Sequence, residues 1–70
     1  MDIKKIIARS EFQSLRLSKG LSMNELSKRA GVTPLIISRV EKGKPTSPAT
    51  AKKICTALES RFDELFELKG

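Results

Sequence analysis

The chain has 70 residues, of which 39% are hydrophobic, and carries a formal net charge of +6 at pH 7; this length predicts one domain, residues 1–70, with a modest core. One cysteine and no histidine exclude an intrachain disulfide and a Cys/His zinc site. No stretch approaches the roughly 18 apolar residues of a membrane span, and the N-terminus lacks the apolar region of a secretion signal, so we expect a cytoplasmic protein.

The first predicted element is a helix that begins after Asp2 and runs to about Lys19. Gly20 follows it and can adopt the left-handed conformation that commonly ends a helix. The apolar residues of this segment recur close to the helical period: Ile3, Ile6, Ile7, Phe12 and Leu15.

The second predicted helix begins at a capping box, Ser22-Met23-Asn24-Glu25. In this motif the first and last side chains each accept a hydrogen bond from the other residue's backbone amide. The helix is predicted from Met23 to about Ala30, and Gly31 ends it.

Three more helices are predicted from similar signals. A threonine or serine N-cap followed by proline at the first helical position starts two of them. They are predicted from Pro34 to about Lys42 after Thr33, from Pro48 to about Leu58 after Ser47, and from Phe62 to about Leu68. No segment alternates polar and apolar residues as a half-buried strand does, so the predicted fold is all-α, with five helices in a compact arrangement.

The junction between the second and third helices is the most informative feature. The third helix starts only two or three residues after Gly31, at Thr33-Pro34, and so short a turn makes two helices cross steeply, as in a helix-turn-helix. Ser27 and Gly31 provide the small residues needed at the crossing. Leu35, Ser38 and Arg39 are then left on the outer face of the third helix.

Charge is distributed unevenly along the chain. The middle of the sequence is basic and contains one acidic residue, Glu41, whereas residues 59–67 are mainly acidic. The basic residues of the middle segment are Lys28, Arg29, Arg39, Lys42, Lys44, Lys52 and Lys53. This imbalance indicates a binding face for a polyanion, either nucleic acid or an anionic membrane surface.

Spaced hydrophobic, glycine and capping residues recur over about residues 11–67, at Leu15-Arg16, Gly20-Leu21-Ser22, Glu25-Leu26, Gly31-Val32-Thr33, Ile37-Ser38-Arg39-Val40-Glu41, Gly43-Lys44, Ile54, Ala57-Leu58 and Asp63-Glu64-Leu65-Phe66. In this pattern the chain resembles the lambda-repressor/Cro-like (XRE-type) helix-turn-helix DNA-binding domains, with the motif at about residues 23–42. The resemblance implies sequence-specific binding of double-stranded DNA by a small dimeric transcriptional regulator, expected to be a repressor and to be nucleoid-associated if it is bacterial or from a phage.

The resemblance also implies which residues contact DNA. Helix 34–42 is expected to lie in the major groove, and the expected base-contacting residues are Thr33, Pro34, Leu35, Ser38 and Arg39. The guanidinium of Arg39 matches the two acceptors of guanine. Leu35 can contact a thymine methyl group or be a partly buried core residue.

Phosphate contacts are expected from two places that flank the recognition helix. The first is the N-terminus of helix two, at Ser22, Met23 and Asn24, where free amides and the helix dipole attract anions. The second is the end of helix three, at Lys42 and Lys44. Met23 stands where many members of the family have a glutamine that braces the DNA contacts.

Two further features have structural interpretations. Arg16 and Glu41 resemble a family ion pair that joins helix one to the end of helix three and supports the fold. Cys55, beside Ile54, is expected to be a small core residue.

Dimerisation is implied because one recognition helix reads half of an inverted repeat. The expected interface residues are Phe66 and Leu68, whereas Phe62 and Leu65 are expected in the core. Residues 1–10 can either lengthen helix one over helix five or extend this interface.

Other functions are less well supported. Neither a catalytic motif nor a phosphate-binding glycine loop is present, and no metal, cofactor or small-molecule ligand is expected. RNA binding is disfavoured because tryptophan and tyrosine are absent. The alternative is a protein-interaction module, such as an antitoxin or coactivator, favoured by the apolar segment Pro34-Leu35-Ile36.

Overall fold

Five helices and two short strands make up the part of the chain that the computed structural model describes, residues 4–70. In chain order these elements are β1 (Lys5–Ala8), α1 (Phe12–Ser18), α2 (Met23–Ala30), α3 (Pro34–Glu41), α4 (Pro48–Leu58), α5 (Phe62–Leu65) and β2 (Phe66–Lys69). The expected capping of a first helix by Asp2, and the position of Ile3 on it, lie outside the described residues. The predicted arrangement of five helices is confirmed, with a small sheet added.

The starts of three helices follow the predicted capping signals. In the box at α2, the Glu25 amide donates to Ser22 Oγ at 3.1 Å and the Ser22 amide donates to Glu25 Oε1 at 3.0 Å. Thr33 and Ser47 cap α3 and α4 by accepting from amides three residues ahead, at 3.3 Å and 3.2 Å. Because these signals are local, α2 and α4 have the predicted bounds and α3 ends one residue early.

The two ends of the chain differ from the prediction. Residues 5–8 form a strand, α1 begins only at Phe12, and α5 stops at Leu65. The segment after Leu65 becomes β2, which pairs antiparallel with β1. The paired residues are Lys5 with Lys69, Ile6 with Leu68, Ile7 with Glu67, and Ala8 with Phe66. The prediction of a long first helix and of no strands was therefore wrong at both ends.

Backbone hydrogen bonds explain why these end segments are extended. The Arg9 amide donates to the Leu65 carbonyl at 2.7 Å, next to the last strand pair. On the other side of β1, the Thr46 amide donates to the Ile6 carbonyl at 3.0 Å. β1 thus has partners from two distant parts of the chain, and these contacts override local helical periodicity.

The core lies between the helices and one face of this sheet. Its buried hydrophobic residues are Ile6, Phe12, Leu21, Leu26, Ala30, Ile37, Val40, Ala51, Ile54, Cys55, Leu58, Leu65 and Phe66. The rings of Phe12 and Phe66 pack with centroids 5.8 Å apart. No helix within residues 4–70 is long and apolar enough to cross a membrane.

Two phenylalanines exchange the positions expected for them. Phe66 is fully buried, whereas Phe62 is 39% exposed and stacks on Phe66 from outside, with centroids 5.5 Å apart. The reason is the change from helix to strand at Phe66, which turns its side chain toward the same sheet face as buried Ile6. The expectation that Phe66 contributes to a dimer interface is therefore corrected, because its side chain has no exposed surface.

Candidate nucleic-acid interface

A tight left-handed turn joins α2 to α3. Gly31 has φ of 74° and ψ of 33°, a conformation that disfavours residues with a side chain. Its amide and that of Val32 both donate to the Ser27 carbonyl, at 2.9 Å and 3.0 Å. These bonds satisfy the end of α2 and fix the direction in which α3 leaves it.

Ser27 occupies the buried position near this turn. It is 3% exposed, and its hydroxyl donates to the Asn24 carbonyl at 2.7 Å. The hydroxyl is thereby satisfied within its own helix, so a serine can occupy a position that must remain small. This small, satisfied side chain is compatible with the contact between α2 and α3.

The outer face of α3 is accessible. Ile37 and Val40 are buried against the core, whereas Leu35 is 59% exposed. Arg39, four residues after Leu35, is also exposed, and Ser38 between them is half-buried. Of the three residues predicted to face outward, Leu35 and Arg39 are exposed and Ser38 is only partly so, and Thr33 and Pro34 are exposed at the start of the same helix.

No hydrogen bond or ion pair within residues 4–70 engages the Arg39 guanidinium. The nearest acidic residue along α3, Glu41, is bonded to Arg16 instead. Arg39 lines a groove of about 180 Å³ with Thr46, Ser47 and other residues. Its five donors are therefore available to an external acceptor.

The groove beside Arg39 includes residues that the sequence analysis did not assign to the site. Thr46 and Ser47 enter it from the segment before α4, together with Thr50 from the first turn of that helix. The Ser47-Pro48 capping signal correctly located this helix start. Only the folded chain shows that it lies beside Arg39.

The N-terminus of α2 provides fewer free donors than expected. The Ser22 amide, one of the expected phosphate donors, is bonded to the Glu25 carboxylate, as the capping box predicts. The Met23 and Asn24 amides have no partner among residues 4–70. The Met23 side chain packs partly against the core, and that of Asn24 is exposed. Two amides of the expected three are thus free to donate a hydrogen bond to an external acceptor such as a phosphate oxygen.

The basic residues of the middle segment line different grooves. Lys42 and Lys44 are exposed at the end of α3, on either side of Gly43, whose φ is 83°. In contrast, Arg29, Lys52 and Lys53 line a separate groove of about 380 Å³ between α2 and α4. The charge pattern alone had grouped all of them together.

Comparison with known proteins places this geometry in a family. A family profile described as "Helix-turn-helix" matches residues 12–65, which include all five helices. The chain belongs to the XRE-type, lambda-repressor-like helix-turn-helix family. The members of this family are DNA-binding transcriptional regulators and not enzymes. The predicted resemblance and the prediction that the chain is not an enzyme are confirmed.

Two Bacillus subtilis (strain 168) proteins resemble this helix-turn-helix chain in sequence. The HTH-type transcriptional regulator SlrR is 37% identical over 54 residues, which are 74% of this chain and 36% of SlrR. The uncharacterized HTH-type transcriptional regulator RghRB is 31% identical over 62 residues, 86% of this chain and 45% of RghRB. The helix-turn-helix chain thus spans less than half the length of either relative.

Two solved structures have similar folds. The clp gene regulator ClgR from C. glutamicum superposes with a TM-score of 0.69 at 28% identity, covering 79% of this chain and 73% of that chain. The transcriptional regulator VanUg superposes with a TM-score of 0.74, covering 97% of this chain and 92% of that chain. At 17% identity, the likeness to VanUg concerns the fold alone.

A buried ion pair connects α1 to the end of α3. Arg16 Nε donates to Glu41 Oε2, and Arg16 Nη2 donates to Glu41 Oε1 at 3.2 Å. The remaining terminal nitrogen, Nη1, donates to the Leu21 carbonyl at 2.8 Å. The guanidinium therefore links α1, the turn before α2 and the last residue of α3, and these contacts help to hold α3 in position.

Residues 4–70 contain no cluster of acidic, histidine or cysteine side chains able to hold a metal ion. The single cysteine, Cys55, lies in the core on α4, and burial raises the pKa of its thiol.

Proposed function

We propose that the chain acts as a sequence-specific regulator that inserts α3 into the major groove of a double-stranded DNA operator. The observation that carries this proposal is the exposed outer face of α3, where Leu35 is 59% exposed and the Arg39 guanidinium has no protein partner within residues 4–70. A guanidinium held on a rigid helix suits the paired acceptors of guanine. Family membership makes DNA the expected ligand for such a helix.

In this proposal, Thr33, Pro34, Leu35, Ser38 and Arg39 face the base edges. Leu35 and Pro34 supply only apolar contact, which fits thymine methyl groups. The Met23 and Asn24 amides, together with Lys42 and Lys44, contact phosphates and set the position of α3 without specifying sequence. The Ser22 hydroxyl can still contact a phosphate, although its amide is engaged by Glu25.

In this proposal, residues 1–70 form one DNA-binding domain, and two copies of it act as a two-fold dimer on an inverted repeat. One α3 contacts only a few base pairs, and a dimer doubles the length of the site with centres about 34 Å apart. The proposed regulatory role is repression, which requires an operator overlapping a promoter. A reporter whose transcription falls when the chain is produced, only when that operator is present, tests this part.

The binding proposal is tested by selecting duplexes from a random pool and measuring affinity for the selected and a scrambled duplex. We expect the selected site to bind at least about 10³-fold more tightly. Affinity for both duplexes should fall steeply between 50 and 200 mM salt, because phosphate contacts release counterions. Equal affinity for the two duplexes at all salt concentrations would contradict sequence-specific binding.

A second candidate is a protein-interaction module, and the exposure of Leu35 favours it. An apolar residue at the centre of an accessible face is typical of protein interfaces as well as of thymine contacts. If the folded chain binds no duplex even at low salt, this second function replaces the first. Circular dichroism of the same sample shows whether the chain was folded.

A further inference from the structure

We propose that the outer edge of β2 binds β2 of a second copy of this chain, antiparallel and centred on Leu68, so that two small sheets join into one of four strands. The dimer of the proposed function requires an interface, and this inference supplies it. The occupant is a second copy because the edge is complementary to itself in backbone groups, charge and apolar surface.

The hydrogen-bonding pattern shows which backbone groups of β2 point outward. The bond from the Arg9 amide to the Leu65 carbonyl makes these residues a hydrogen-bonded pair, and such pairs alternate along an antiparallel ladder. Glu67 and Lys69 therefore point their backbone groups at β1, whereas Leu68 points away from it. The bond from Thr46 to the Ile6 carbonyl fits this alternation, because Ile6 is opposite Leu68.

The outward groups of Leu68 have no strand to pair with among residues 4–70. The sheet within residues 4–70 has two strands, and Thr46 occupies the far edge of β1, not that of β2. An unpaired edge is a ready template for another chain. About a two-fold axis at Leu68, each Leu68 amide donates to the partner's Leu68 carbonyl, which satisfies all four groups at once.

The charges of Glu67 and Lys69 favour a two-fold axis at Leu68 over an axis at either neighbouring residue. With the axis at Leu68, Glu67 lies directly opposite the partner's Lys69, and Lys69 opposite the partner's Glu67. An axis at Glu67 or at Lys69 would place that residue opposite its own copy, and like charges opposite each other are destabilising. Only the register centred on Leu68 gives two pairs of opposite charge.

Apolar surface supports the same axis. Leu68 is 55% exposed although it lies on the sheet face that contains buried Ile6 and Phe66. Placed beside the partner's Leu68, this side chain continues the core of one copy into the core of the other. The half-buried Glu67 and the exposed Lys69 remain on the opposite, solvent-facing side of the sheet.

Sedimentation equilibrium of the chain without DNA tests this inference. We expect the unmodified chain to dimerise, and Glu67→Lys and Lys69→Glu each to weaken the dimer about tenfold or more by setting like charges opposite each other twice. An equimolar mixture of the two variants should form heterodimers as tight as the unmodified dimer. The double variant Glu67→Lys/Lys69→Glu, which reverses both charges, should dimerise by itself.

Each single variant also loses the contact within one strand between Lys69 Nζ and Glu67 Oε2 at 3.9 Å, so thermal unfolding checks that the variants remain folded. A monomeric unmodified chain, or a mixture of variants that fails to recover dimers, would overturn the inference. DNA binding is scored separately on a half-site duplex, to which a monomer can bind. If the chain dimerises but does not bind the half-site duplex, the proposed function is contradicted and the proposed interface is not.

Discussion

Arg16 and Glu41 form the one ion pair within residues 4–70 in which both side chains are buried, at 5% and 7% exposure. The two residues are 25 positions apart in sequence, and their contact joins α1 to the last residue of α3. A buried pair contributes little net stability compared with apolar residues, but breaking it leaves a buried charge without a partner. The pair therefore helps to hold α3 in its position against α1.

We expect Arg16→Ala to lower the free energy of unfolding by about 3–5 kcal/mol, because Glu41 and the Leu21 carbonyl both lose their donor. Urea denaturation at pH 7 measures the change. Arg61→Ala is the matched control. The side chains of Arg61 and Asp63, which form an ion pair, are 79% and 67% exposed, so this pair should contribute less than about 1 kcal/mol. If Arg16→Ala kept its stability and lost DNA binding, Arg16 would be a DNA contact instead.

Arg39→Ala should weaken binding to the selected operator by about 1–3 kcal/mol and relax the preference for guanine at one position in each half-site. Its stability should be unchanged, because the guanidinium has no partner within residues 4–70. Competition binding with single-base variants of the operator measures both effects. An equal loss on every operator variant would show that Arg39 contacts phosphate and does not read a base.

Lys42→Ala and Lys44→Ala should weaken binding to all duplexes alike. Each should reduce the slope of log affinity against log salt by about 1 per chain, because one phosphate contact is lost. Lys53→Ala is the matched control from the separate groove between α2 and α4. A change of sequence preference in Lys42→Ala or Lys44→Ala would contradict their assignment as phosphate contacts.

The capping box of α2 predicts a pH-dependent contribution to stability. The Ser22 backbone amide and then the Ser22 hydroxyl hold the pKa of Glu25 below its usual range. Because the pKa is lower in the folded state, this stabilisation is complete above the usual glutamate pKa of about 4.3 and is lost as pH falls through the lowered value. Glu25→Gln should therefore melt below the unmodified chain at pH 7, and the two melting temperatures should converge in acid.

The matched control for the capping prediction is Glu11→Gln. Glu11 is the N-cap residue of α1, and its side chain makes no capping hydrogen bond. Its substitution should produce a smaller difference from the unmodified chain over the same pH range. A Glu25→Gln difference that stayed constant down to pH 2 would exclude a titrating carboxylate as its cause.

Cys55 should react slowly with thiol reagents in the folded chain. It is 9% exposed, and burial raises the pKa of its thiol, so little reactive thiolate forms near neutral pH. The rate with a disulfide reagent at pH 8 should rise sharply in denaturant. Thr56→Cys combined with Cys55→Ala moves the thiol to the exposed neighbouring position and should react rapidly without denaturant.

Local sequence signals were sufficient to predict the helix-turn-helix. The capping box at Ser22, the left-handed Gly31 and the Thr33-Pro34 start each act within about four residues. Their effect therefore does not depend on the rest of the fold, and α2 has the predicted bounds. The outward positions of Leu35 and Arg39 followed from helical periodicity once those bounds were known.

Tertiary contacts alone decided the structure of the two ends. Helical spacing of Ile6 and Ile7 predicted a helix, but a strand forms because β2 and Thr46 provide hydrogen bonds on both of its edges. The partners of Ile6 lie 40 and 62 residues away (46 − 6 and 68 − 6), so no window of local sequence contains them. The burial of Phe66 and the exposure of Leu68 follow from that pairing, so only the folded chain decides which of these two residues is available to the proposed dimer interface.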